Sequence, residues 1–206
     1  MKYPTILNMK NTFKAVILVL VFLCSGGSAV ADAEPAAAAR PWNDAVEARL
    51  ELAGTNRSEL AKAFKDAAPE RREGLVFLVA NMQESDLKTL SASYLLENLN
   101  LAYDAWEKSP WHASVSQEMF FNDVLPYASL NEDRDGSRAM LRKACLPMIA
   151  EARTPGEAAH LLNQKIFPHF KVSYNTRRQR PDQSPTESIR SSIATCLGKA
   201  APSVAL

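Results

Sequence analysis

The side chain best suited to covalent chemistry is Cys196, which closes the stretch "SPTESIRSSIATC" ten residues before the end of a 206-residue sequence. A thiol with a pKa near about 8.5 is mostly protonated at neutral pH. It attacks an acyl carbon efficiently only where a helix N-terminus or an imidazolium makes the thiolate available. An acid then orients the imidazole, and backbone amides hold the oxyanion. Three histidines qualify by type. His112 follows Trp111 in a loop beginning at Pro110, His160 lies within a helical pattern, and His169 ends that pattern beside Phe170. A histidine near a helix C-terminus more often serves the helix dipole, so the sequence favours none of them as the partner of Cys196. No histidine–cysteine spacing forms a zinc set, and neither a phosphate loop nor a G-x-S-x-G elbow occurs. No cofactor or metal is expected.

Other residue types attract weaker readings. Arg177, Arg178 and Arg180 in "NTRRQRPDQ" are suited to an anionic substrate, but a solvated loop is the favoured reading. Trp42, Trp106 and Trp111, with Tyr94, Tyr103, Tyr127 and Tyr174, are read as core or groove-lining aromatics rather than ligand stackers. Cys145 sits in an apolar helical segment and reads as a small core residue; a disulfide with Cys196 is the alternative in an exported protein.

The elements that must position Cys196 begin after a distinct leader. Residues 1–31 carry Lys2, Lys10 and Lys14, no acid, the apolar run "AVILVLVFLC" and then "SGGSAVA". This is the pattern of a secretory signal ending at Ala31, with Met9 as an alternative start. The run is well short of the roughly 20 residues that cross a bilayer, so no integral membrane segment is expected after cleavage. Lipid anchoring at Cys24 is the rival reading, weakened because Leu23 is larger than the residue such a site takes. Export to the periplasm or the medium follows. Loss of the leader leaves 21 basic residues of the original 24, against 23 acidic ones. Such a balance gives no reason to expect nucleic acid as a partner.

"DAEPAAAARP", residues 32–41, reads as a disordered tether. A helical region over 42–130 follows. Helices are expected from Asn43 to Ala53, from Arg57 to Ala67 with Asn56 as cap, and from Glu70 to Met82 after Pro69. A longer apolar periodicity runs from Ser85 to Lys108, with Ser91 as a break. "SQEMFFNDVLPY" is expected to start at Ser116 and stop at Pro126. "NEDRDGS" is a polar turn. Next comes a helix interrupted by Pro147, then one capped by Thr154 with Pro155 and Glu157 behind it. Only "KVSYN", Lys171 to Asn175, alternates like a strand.

From about Glu73 to Gly198 the chain resembles the N-terminal half of exported bacterial proteins of the transglutaminase-like superfamily. The resemblance is carried by "NDVLPY", "NE", "SPTESI" and the following "ATC". It implies a papain-like α+β core in which a cysteine opens a helix and later strands carry a histidine and an aspartate. Residues 131–206 would be the start of that core, lacking most of its sheet, and the whole fold class is mainly α. Only Cys196 matches a catalytic position of the family; the second oxyanion donor is not identified. The family's substrates are proteins or peptides.

The tail departs from the pattern. After Leu197 and Gly198 comes "KAAPSVAL", where the family continues an apolar helix, and Pro202 in a helix interior costs about 3 kcal/mol. The expectation is a reading frame that ends early, with a natural short relative as the alternative. The function expected is that of a cysteine acyltransferase or hydrolase by ancestry, inactive as this chain because the downstream histidine and aspartate are missing. An exported helical binding module without catalysis is the alternative from a different class.

Overall fold

Asn43 accepts a hydrogen bond from the Val46 amide at 3.0 Å and so opens α1 (Asp44–Leu52). The computed structural model describes residues 40–129, 131–177 and 182–194. Cys24, Arg178, Arg180 and Cys196, like the expected leader and most of the tether, lie outside the described residues.

Four further helices complete the first part: α2 (Arg57–Asp66), α3 (Arg72–Asn81), α4 (Glu84–Leu87) and α5 (Ala92–Lys108). α2 lies along α5, and α1 packs on α3. Their facing sides bury Val46, Leu50, Leu60, Phe64, Leu75, Leu95 and Leu99 completely, each contributing about 1.5–3 kcal/mol. Ser91 does interrupt the long periodicity. Its hydroxyl accepts from the Tyr94 amide and caps α5.

Asn56 precedes α2 as expected, but its side chain makes no cap bond. Its amide instead donates to the carbonyls of Leu87 and Leu90, both at 2.9 Å, where α4 ends and its link to α5 begins. Two carbonyls that would otherwise lose hydrogen bonds on burial are thereby satisfied. Gly74 in α3 has a different necessity. A Cβ there would stand 2.8 Å from the Tyr103 ring, so only glycine lets α3 and α5 approach this closely.

Ser116 caps α6 (Gln117–Met119), which continues as a π turn over Phe120–Val124. Phe120 is fully buried, stacked on Trp106 at 4.3 Å and met edge-on by Tyr103 at 4.7 Å. α7 (Ser137–Cys145) then runs into a 3-10 turn at Leu146–Ile149, where Pro147 cannot donate an α-helical bond.

α8 (Pro155–Phe170) starts as expected, with Thr154 accepting from the Glu157 amide at 3.2 Å. The Glu157 carboxylate reaches the Arg153 amide at 2.7 Å, one residue before the cap. α7 and α8 share a smaller core of Leu141, Cys145, Leu162 and Ile166, flanked by Met148, Ile149, Phe167, Phe170 and Ile189. Cys145 is a free, fully buried thiol, and burial pushes its pKa up to about 11.

The expected strand is shorter than its pattern. Lys171 takes a left-handed conformation (φ 56°) to end α8, leaving β1 at Ser173–Tyr174. Both strand residues are exposed, so the apparent alternation came from a helix cap and a buried Val172 rather than from a two-faced strand. After α9 (Pro185–Ser191), β2 (Ile193–Ala194) pairs in parallel with β1. Among the described residues the fold is mainly α, with these two short strands the entire sheet.

Candidate active site

Ser184 and Glu187 form a complete capping box. The Ser184 hydroxyl accepts from the Glu187 amide at 3.2 Å, and the Glu187 carboxylate accepts from the Ser184 amide at 2.8 Å. Pro185 supplies the preset φ of the first helical position. α9 lasts two turns and stops at Ser192, left-handed at φ 57°. The Ser173 amide donates to the Ser192 carbonyl and the Asn175 amide to that of Ala194, both at 3.0 Å. Ala194 is fully buried. The backbone is therefore held on a defined path until two residues before Cys196, the residue proposed from sequence as nucleophile and itself outside the described residues.

Asp135, in the polar loop before α7, ties this path to the rest of the protein. Its carboxylate accepts from the Thr186 amide at 3.3 Å and from the Ser137 amide at 3.1 Å. Burial pushes its pKa up, but hydrogen bonds from Ser184, Thr186 and Ser137 outweigh that and hold it below the ordinary carboxylate value. The neighbouring Arg134 donates through Nε to the buried Asp86 at 3.0 Å, and Tyr127 donates its hydroxyl to the same carboxylate at 2.9 Å. Burial and the Asp86 charge push the Tyr127 phenol well up; burial, helped by the nearby Asp135 and Asp86 charges, takes Tyr94, edge-on to it at 5.9 Å, to about 12.

Arg138 completes the cluster without an acid. Almost fully buried, it donates to four carbonyls: Asn98 at 3.3 Å, Val124 at 3.1 Å, Leu125 at 3.4 Å and Pro126 at 2.5 Å. Burial lowers its pKa to about 10, which leaves it a cation at neutral pH. Outside this cluster opens a cleft of about 440 Å3 lined by Asn81, Gln83, Asp86, Asn122, Tyr127 and Arg134 among others.

The remaining candidates are engaged with their own elements. His112 lies against Trp106, with Nδ1 at 3.2 Å from that residue's carbonyl. His160 meets the Gln164 amide at 3.0 Å one helical turn away, and His169 lies edge-on to Phe170. All three are exposed, and no ion pair joins any of them to a carboxylate among the described residues. Arg177 is exposed, its amide donating to the Asn175 side chain. Trp42 is a packing residue, 5.2 Å from Phe64, and donates to Glu47. With the Arg57 ion pair, that donation holds the Glu47 carboxyl down at about 2. Among the described residues no cluster of three or more histidine, cysteine, aspartate or glutamate side chains is arranged to hold a metal, and no helix is long and apolar enough to cross a membrane.

Asp86, Asp135 and Arg138 were not singled out by spacing or motif. The one available signal was density of charge: five ionisable residues fall within the seven of Glu132–Arg138, in a loop otherwise read only as a turn. Compared with known proteins, the chain matches no family model, no curated protein and no solved structure.

Proposed function

We propose that this chain is the helical, nucleophile-bearing part of an exported transglutaminase-like cysteine enzyme, with Cys196 as the nucleophile. In the reaction of such an enzyme, the Cys196 thiolate attacks the acyl carbon of an amide and forms a C–S bond. The amide C–N bond breaks, the leaving amine takes a proton from the imidazolium, and a thioester remains. Water or a second amine then attacks the thioester, returning the acyl group to solution and the thiol to its resting state. The imidazole and its orienting carboxylate are assigned by the resemblance to positions beyond residue 206.

One observation supports this reading. The segment "SPTESI" forms a capped helix pinned to Asp135, and the parallel pairing of β2 with β1 carries a fully buried Ala194 to within two residues of the thiol.

The test is alkylation at pH 6 with iodoacetamide, resolved by peptide mass spectrometry. Cys196 is expected to react faster than the same thiol in an unfolded peptide, and Cys145 hardly at all, since its thiol is buried and its pKa raised. Equal rates for Cys196 and the peptide would overturn the assignment. A second check reads all three frames beyond codon 206 of the gene for a histidine-bearing strand.

A further inference from the structure

Trp106 near the end of α5 and Trp111 in the following turn stand with Val115, Leu146 and Ile149 around a cavity of about 200 Å3. It shares no lining residue with the clefts around Asp86 and Asp135. No carboxylate lines it, and its charged lining residues are two cations, Lys108 and Arg142. Lys108 is already paired with Asp104 at 2.7 Å. The half-buried Arg142 side chain has no ion-pair or hydrogen-bond partner among the described residues. Leu146 keeps 48% of its surface exposed at the rim.

Two physical deficits therefore meet at one place. Apolar walls face water at a cost of about 25 cal/mol per Å2, and a guanidinium that could form a bidentate pair with an anion has none among the described residues. Arg142 also lies one helical turn from the buried cation Arg138, and the two like charges disfavour each other, so a negative charge at Arg142 would be favoured by both. The volume lies below the roughly 300–1,000 Å3 of drug-sized sites. At the roughly 10–15 Å3 of such space that one water needs, it admits about 13 to 20 small groups, room enough for an eight-carbon carboxylate.

We propose that this cavity is a binding site for a small apolar carboxylate, a fatty acid of about eight carbons in size and polarity. Its chain lies against Trp106, Trp111 and Leu146, and its carboxylate on the guanidinium of Arg142. The site does not depend on the chemistry proposed for Cys196.

The experiment titrates the full chain with sodium octanoate below its micellar concentration, following calorimetry and tryptophan fluorescence, with octylammonium as the control of equal length and opposite charge. Saturable one-to-one binding is expected, at least about tenfold tighter for octanoate than for octylammonium. Arg142→Gln should remove that preference while leaving the helical circular dichroism unchanged. Ala150→Trp, which places an indole in the cavity from its rim, should abolish octanoate binding. The proposal is overturned if octanoate does not saturate, if Ala150→Trp binds it undiminished, or if both ligands bind the unaltered chain alike. In the last case Arg142 serves only the negative end of α7. Should Arg142→Gln fail to fold, the ratio of the two ligands on the unaltered chain decides the matter.

Discussion

The large core between α1 and α5 and the small core between α7 and α8 are built from the same residue types, yet they differ in what holds them. The first closes mostly on itself: twenty buried residues from Val46 to Leu125 pack in one cluster. The second has four, with flanking side chains that remain partly wet, and leans on polar ties from the loop before α7. A core of that size supplies little beyond the conformational entropy it must offset. The consequence is that the path to Cys196 depends on hydrogen bonds more than on apolar burial.

The sharpest way to break this contrast is to empty one side chain from each core. Phe64→Ala should cost about 4 kcal/mol in urea denaturation and lower amide protection throughout the described residues, whereas Ile166→Ala should cost about 2 kcal/mol and lower it chiefly from α7 onward. Identical exchange patterns for the two variants would show that the cores are not separable. Between the two in size is Arg138→Met at the junction. It keeps much of the volume but leaves the carbonyls of Asn98, Val124, Leu125 and Pro126 without their donor, for a loss of about 3 kcal/mol on denaturation. A loss below about 1 kcal/mol would mean that water replaces the guanidinium freely.

Asp135→Ala should have the smallest effect, about 1 kcal/mol, read most directly as faster exchange of the Thr186 amide. The pH dependence has a definite sign. Because the folded carboxyl has the lower pKa, its contribution is complete above the unfolded value of about 3.9 and disappears as pH falls through the folded one. The unaltered protein should therefore lose protection at Thr186 only below about pH 3.9, and the variant should show no such step. A step of equal size in the variant would assign it to another carboxylate.

The helices were legible because their signals are local. Asn43, Ser91, Ser116 and Thr154 each accept from an amide three residues on; Ser116 and Thr154 were expected as caps, Asn43 as a helix start and Ser91 as a break. The mainly α class followed from that series. Asn56 was placed correctly but with the wrong partner, since the carbonyls it serves lie more than thirty residues away. The strand at "KVSYN" was overextended because alternation over five residues cannot distinguish a strand from a helix cap followed by one buried valine. The polar cluster was least legible. Asp86 lies 41 residues from Tyr127 and 48 from Arg134, and no periodicity links positions joined only by the fold.

The four-carbonyl grip of Arg138 has a consequence for the order of assembly. The end of the π turn belongs by sequence to the first part of the chain, but the group that dries it arrives with α7. Until that helix docks, water must solvate those carbonyls. The last turn of the larger core is thus finished by its neighbour. A fragment ending at residue 136 would have a ragged, protease-accessible edge there, however well its leucines were packed.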